Sequence, residues 1–162
     1  MGKKAKRDIP LEDIPQKASA PALSWTVFLV EDSEDDRRLA ERVLKLSPRI
    51  ADIVPLDNSA ALFQQLESRG FYRPSEQSGC LILMDIHMPG RNGLTLLEQL
   101  KSNPHTENIP IVMITGDAAS DKIHQSYMLN ASAFISKPMT EKHLDDLHAV
   151  FDKGTGWKEK CH

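Results

Sequence analysis

The sequence predicts an α/β fold, a doubly wound parallel sheet with helices on both faces, and three observations lead to it. Apolar runs too continuous for half-exposed strands recur along the chain, most clearly at Trp25-Thr26-Val27-Phe28-Leu29-Val30 and Cys80-Leu81-Ile82-Leu83-Met84. Strands covered on both faces by helices read this way. Segments with helical spacing fall between the runs, so that strand and helix alternate through five units. Acidic, hydroxyl-bearing and basic residues stand just past several of the runs, where the carboxyl ends of parallel strands gather ligand chemistry.

Taken in order, the first two dozen residues carry Pro10, Pro15 and Pro21 among charged and small residues without an apolar period. Residues 1–24 are therefore read as a flexible, solvated arm to which no function is assigned. The first strand opens at Trp25. Ser33, followed three residues later by Asp36, resembles a capping box, and Leu39, Val43 and Leu46 repeat at helical spacing behind it. A weaker strand over Ile50 to Pro55, a helix over Ser59 to Ser68 and a long loop from Arg69 to Gly79 lead to the strong strand beginning at Cys80. A helix near Leu94 to Lys101, a strand from Ile109 to Ile114, a helix near Ala119 to Leu129 and a short strand from Ser132 to Ile135 follow. The last helix is placed at Glu141 to Phe151, with Leu144, Leu147 and Phe151 toward the sheet. One domain over 25–152 and a tail over 153–162 result.

Composition narrows the function. Charged residues at 27% and apolar residues at 40% fit a globular protein, and a net charge of −3 gives no footprint for nucleic acid. Two cysteines, Cys80 and Cys161, are too few for a disulfide scaffold. No apolar run approaches the roughly 18 residues needed to span a bilayer, and the basic start is not followed by a signal-peptide core. A cytoplasmic protein that does not enter the membrane is expected.

The chemistry lies in the strand ends. Glu31 and Asp32 follow the first strand, Asp85 the third, Thr115 the fourth and Lys137 the fifth. A doubly wound sheet brings these positions into one pocket holding three carboxylates, a hydroxyl and an ammonium. The group suits phosphoryl transfer to a carboxylate, with Asp85 as nucleophile. Mg²⁺ would relieve the repulsion among the acids, with Asp32 and Asp85 as ligands and Glu31 acting through water. Lys137 and the Thr115 hydroxyl would each take a phosphoryl oxygen. The remaining acids of the run, Glu34, Asp35 and Asp36, read as favourable charge at a helix N-terminus. His87, His124, His143 and His148 show no spacing for transition-metal ligation, and Pro89, Gly90, Asn92 and Gly93 read as turn and cap residues.

Val30-Glu31-Asp32, Met84-Asp85-Ile86-His87-Met88-Pro89 through Gly93, Ile114-Thr115-Gly116 and Phe134-Ile135-Ser136-Lys137-Pro138 together resemble the response-regulator receiver family from about Trp25 to Phe151. The resemblance implies a flavodoxin-like strand order of 2-1-3-4-5. It also implies roles: Glu31 and Asp32 as the metal pair, Asp85 as phosphoacceptor, Thr115 as switch hydroxyl and Lys137 as phosphate-binding lysine. The backbone carbonyl of His87 would join the metal ligands, Phe134 matches a rotameric switch aromatic, and Pro138 follows a bond that is commonly cis. His87 and Asp117 match positions that tune dephosphorylation. Asp121 to Tyr127, Asn130 to Phe134 and the long loop before the third strand further resemble small single-domain regulators that accompany phytochrome-type sensor kinases, which implies a homodimer through the last helices.

The leading expectation is a phosphorelay switch, charged by a sensor histidine kinase or phosphotransfer protein and acting by binding a downstream protein. Fewer than a dozen residues follow Phe151, so no direct DNA binding is expected. The alternative is a receiver-fold adaptor that docks without phosphorylation, which predicts a broken pocket. A turnover enzyme of similar architecture is disfavoured. A flavin-phosphate loop would not place Glu31-Asp32 against the phosphate, and an aspartate-based phosphatase would carry its nucleophile after the first strand. Only self-phosphorylation from a donor and slow self-dephosphorylation are expected.

Overall fold

The computed structural model describes residues 24–71, 79–88, 92–116, 123, 125 and 127–160, with side chains described as far as residue 153. Five parallel strands form one sheet in the order β2-β1-β3-β4-β5: β1 (Trp25–Val30), β2 (Ile50–Leu56), β3 (Cys80–Asp85), β4 (Ile111–Thr115) and β5 (Ala133–Ser136). Helices α1 (Glu34–Leu44), α2 (Ser59–Ser68), α3 (Gly93–Ser102) and α4 (His143–Lys160) accompany it. This is the architecture and strand order expected above. Ile123, Gln125, Tyr127 and Met128 are helical, while the rest of the helix expected from Ala119, and most of the loop ahead of Cys80, lie outside the described residues.

Burial explains why the strands read as unbroken apolar runs. Every residue of β3 and β4 is buried, and alternate side chains feed two separate cores. On one side Phe28, Val30, Ile82, Met84 and Met113 meet Leu62, Leu66, Leu96 and Leu100 from α2 and α3. On the other, Val27, Leu29, Leu81, Leu83 and Ile114 meet Val43 and Leu44 of α1 and Leu144, Leu147 and Phe151 of α4. Trp25 stacks on Phe151 with ring centroids 4.3 Å apart, fastening the start of β1 to α4. Strand β2 is at the edge and has exposed positions, which accommodates Pro55 opposite Leu29.

Several boundaries differ from those expected, and the differences have local causes. Ile109 and Pro110 precede β4 rather than opening it, although Pro110 still accepts a hydrogen bond from the Ile82 amide. Lys101 Nζ donates to the carbonyl oxygens of Glu107 and Ile109, which holds this approach in a turn. Leu46 does not continue the buried face of α1. The helix ends at Leu44, the chain tightens through Lys45 to Ser47, and Leu46 is 57% exposed. The last helix begins at His143, after a turn in which the Thr140 amide donates to His143 Nδ1, and runs past Phe151 through Lys160, over most of the expected tail. No described helix is long and apolar enough to cross a membrane.

This packing predicts a sharp contrast between two leucines. Leu83→Ala, in the fully buried centre of the sheet, is expected to cost about 2–5 kcal/mol, and Leu46→Ala to stay within about 0.5 kcal/mol; urea unfolding of both variants checks it.

Candidate functional site

The site is assembled from turns at the carboxyl ends of β1, β3 and β5. Val30 and Met84 are paired neighbours in the sheet, so the residues that follow β1 emerge beside Asp85. Glu31 is held there by its own amide on the Leu56 carbonyl, by the Ser33 amide on Glu31 Oε2 at 3.1 Å, and by Arg37 Nη1 on the Glu31 carbonyl at 2.9 Å. Ser33 caps α1, which turns the chain away and leaves Asp32 exposed at the rim. One carboxylate oxygen each from Glu31, Asp32 and Asp85 lie within 4.8 Å of one another.

Asp85 is the last residue of β3 and is buried. Its Oδ1 accepts the His87 amide at 3.1 Å, and its Oδ2 accepts Lys137 Nζ at 2.9 Å. Gly93 lies against the turn after Asp85 and donates its amide to the Ile86 carbonyl at 2.7 Å. A Cβ at this position would press on the Asp85 and Ile86 backbone, with the Ile86 carbonyl oxygen at 2.9 Å, so a glycine is needed here for close approach. A cleft of about 410 Å³ lined by Ile86, His87, Met88 and Asn92 opens along the same turn.

Lys137 closes the site from β5. Its amide donates to the Thr115 carbonyl at 2.8 Å, the peptide bond to Pro138 is cis, and its Nζ contacts Glu31 Oε1 at 2.7 Å, Asp36 Oδ2 at 2.9 Å and Asp85 Oδ2 at 2.9 Å. Burial opposes the charge on this ammonium, but hydrogen bonds to Glu31, Asp36 and Asp85 outweigh it and raise the pKa above the ordinary lysine range. For Glu31 burial dominates and pushes the carboxyl up to about 7, against the hydrogen bonds from Lys137 and the Ser33 amide. The oxygen donor set fits a hard divalent cation such as Mg²⁺ or Mn²⁺.

Of the residues singled out in the sequence, Glu31, Asp32, Asp85 and Lys137 converge as expected. Thr115 ends β4 fully buried, and its carbonyl anchors Lys137. Phe134 is partly buried in β5 and packs against the core on the α2–α3 side. His87 is exposed beside Asp85, and its amide is already engaged there. Asp117, Pro89, Gly90 and His124 lie outside the described residues. Two residues not singled out belong to this end of the sheet: Asp36, assigned above to helix-terminus charge, reaches Lys137, and Arg37 clamps the turn that carries Glu31. The available signal was that Ser33, as the cap, puts Asp36 one turn into the helix and returns it toward the strand ends.

Comparison with known proteins gives consistent results. The response regulator receiver domain profile matches residues 27–149. Response regulator Rcp1 of Synechocystis sp. is 33% identical over 118 residues, covering 73% of this chain and 80% of that protein. The crystal structure of its Mn²⁺-bound form aligns with a TM-score of 0.58 at 30% identity, over 82% of this chain and 90% of that one. The phosphorylated cyanobacterial phytochrome response regulator RcpA aligns with a TM-score of 0.60 at 28% identity, over 84% and 92% of the two chains.

Glu31 yields a pH prediction whose sign follows from its raised pKa. Below about 7 its carboxyl holds a proton that a cation must displace, and above that value it is already ionised. Mg²⁺ or Mn²⁺ affinity, measured by calorimetry, is therefore expected to rise between pH 6 and pH 8 by about tenfold or less. Glu31→Gln should flatten that rise.

Proposed function

The chain belongs to the response regulator receiver domain family, and from that premise we propose that it is a phosphorelay switch whose phosphoacceptor is Asp85. The observation that carries this reading is the contact of one ammonium, Lys137 Nζ, with Asp85 Oδ2 and Glu31 Oε1 at the ends of β3 and β1, beside a cation-sized group of carboxylates. It supports a nucleophilic carboxylate with a cation on each side. The homologue crystallised with Mn²⁺ and the phosphorylated phytochrome regulator support the same reading by similarity.

In this mechanism an Asp85 carboxylate oxygen attacks phosphorus, a new O–P bond forms, and the bond to the donor's imidazole nitrogen breaks with the imidazole keeping the electron pair. Glu31, Asp32 and Asp85, with the His87 carbonyl, would hold Mg²⁺, which supplies charge neutralisation to the phosphoryl oxygens when bound. Lys137 takes a phosphoryl oxygen and the Thr115 hydroxyl another. Movement of Thr115 draws on β4, Phe134 adjusts in β5, and the altered surface binds a downstream protein. His87 and Asp117 are assigned to tuning the lifetime of the acyl phosphate. Residues 25–152 form the receiver unit in this reading, acting in the cytoplasm and without direct DNA binding.

The likeness to Rcp1 and RcpA supports a phytochrome-type sensor histidine kinase as the source of the phosphoryl group. A homodimer through the last helices is proposed with it, on the ground that Tyr127 and Met128, 51% and 70% exposed, leave apolar surface ahead of β5. Light scattering is expected to give twice the chain mass. A monomeric mass both with and without a phosphoryl donor would remove the dimer while leaving the switch intact.

The acceptor chemistry is tested by intact mass after incubation with Mg²⁺ and acetyl phosphate. The parent should gain one phosphoryl group, Asp85→Asn none, and chelation of Mg²⁺ should abolish the gain. A folded parent that gains nothing from either the small donor or a cognate kinase would instead support docking without phosphorylation.

A further inference from the structure

Among the described residues, Asp36 is the partner of Lys137 that does not belong to the group of carboxylates able to share a cation. Its Oδ2 is 2.9 Å from Lys137 Nζ, the same separation as Asp85 Oδ2. Its side chain is 44% exposed, whereas those of Glu31 and Asp85 are 2% and 6% exposed. The helix puts it there: Ser33 caps α1 and faces the Asp36 amide, while the neighbouring Arg37 turns back to the Glu31 carbonyl.

An ammonium has three N–H donors, and three carboxylates receive them here. A phosphoryl group arriving on Asp85 needs one of these donors. A cation held by Glu31, Asp32 and Asp85 would draw two of the lysine's partners to itself. Asp36 would then remain as the carboxylate that still draws Lys137 toward α1.

Resting on the phosphoacceptor reading above, the geometry points to Asp36 as a positioning residue that acts through Lys137, holding part of its charge away from the phosphoryl group and so slowing modification of Asp85. Asp36 lies outside the carboxylate group that could share a cation, and its contact is with Lys137. It works by competing for that lysine, and its half-buried position at the rim lets it be changed without opening a cavity.

The test is a double-mutant cycle on the full chain with Mg²⁺ and acetyl phosphate, following the phosphoryl gain by intact mass over time. Asp36→Asn is expected to raise the rate constant about fivefold, the scale of a partly exposed ion pair. In a Lys137→Met background the same substitution is expected to change the rate by less than about 1.5-fold, because the competitor has lost what it competed for. An unchanged or slower rate in the first arm overturns the proposal. An equal acceleration in both backgrounds overturns it too, since Asp36 would then act by general repulsion of an anionic donor. Should Lys137→Met react too slowly to follow, the cycle is read from the affinity for trifluoroberyllate with Mg²⁺ by fluorine NMR, where the gain must again require Lys137. A folded parent that takes neither probe and gains nothing from a cognate kinase would sink the phosphoacceptor reading and this inference with it, whereas a reactive parent with no effect at Asp36 would sink the inference alone.

Discussion

A single ammonium held among carboxylates is the constraint on which this end of the sheet depends. Glu31 and Asp85 are buried, and withdrawing each anion from water costs several kcal/mol, about, even after the protein relaxes. Lys137 offsets that cost for both at once. The topology calls for a counter-charge carried on a long side chain. Strands β1 and β3 are neighbours, which brings Glu31 to Asp85 directly, whereas β5 lies two strands beyond β3. At about 4.8 Å per strand spacing, only a long, unbranched stem rooted at the end of β5 bridges that distance. The hydrogen bond from its amide to the Thr115 carbonyl fixes where the stem starts.

The same bond ties the site to the rest of the fold. Thr115 belongs to β4 and Lys137 follows β5, so a change in what Lys137 contacts is felt by the β4–β5 pair. Strand β5 is the short edge strand, with Ala133 and Phe134 only partly buried, whereas every residue of β3 is buried. The interior of the sheet thus packs closely under Asp85.

Much of this arrangement was legible in the sequence because burial on two faces leaves a strong mark. The strands around Phe28 and Ile82 could be read from unbroken apolar runs, and the positions of Asp85 and Lys137 followed from the ends of such runs. Ser33 and Asn92 signalled their helices through cap chemistry that the structure reproduces. What could not be read were features decided by tertiary contact. Leu46 keeps the helical spacing but falls after the helix has closed on Lys45. Ile109 is as apolar as a strand residue, yet Lys101 holds the backbone there in a turn. Asp36 has the composition of ordinary helix-terminus charge, and only the placement of Lys137 shows that it reaches the pocket.

The central claim is that the carboxylate at the end of β3, and no other acid in this crowded site, receives the phosphoryl group. Reducing the phosphorylated protein with borohydride converts an acyl phosphate to an alcohol, and peptide mapping then reads which residue carried it. The account predicts homoserine at position 85 and unmodified Glu31, Asp32 and Asp36. Reduction at any of those three residues, or phosphate retained on a hydroxyl that borohydride leaves untouched, would contradict it.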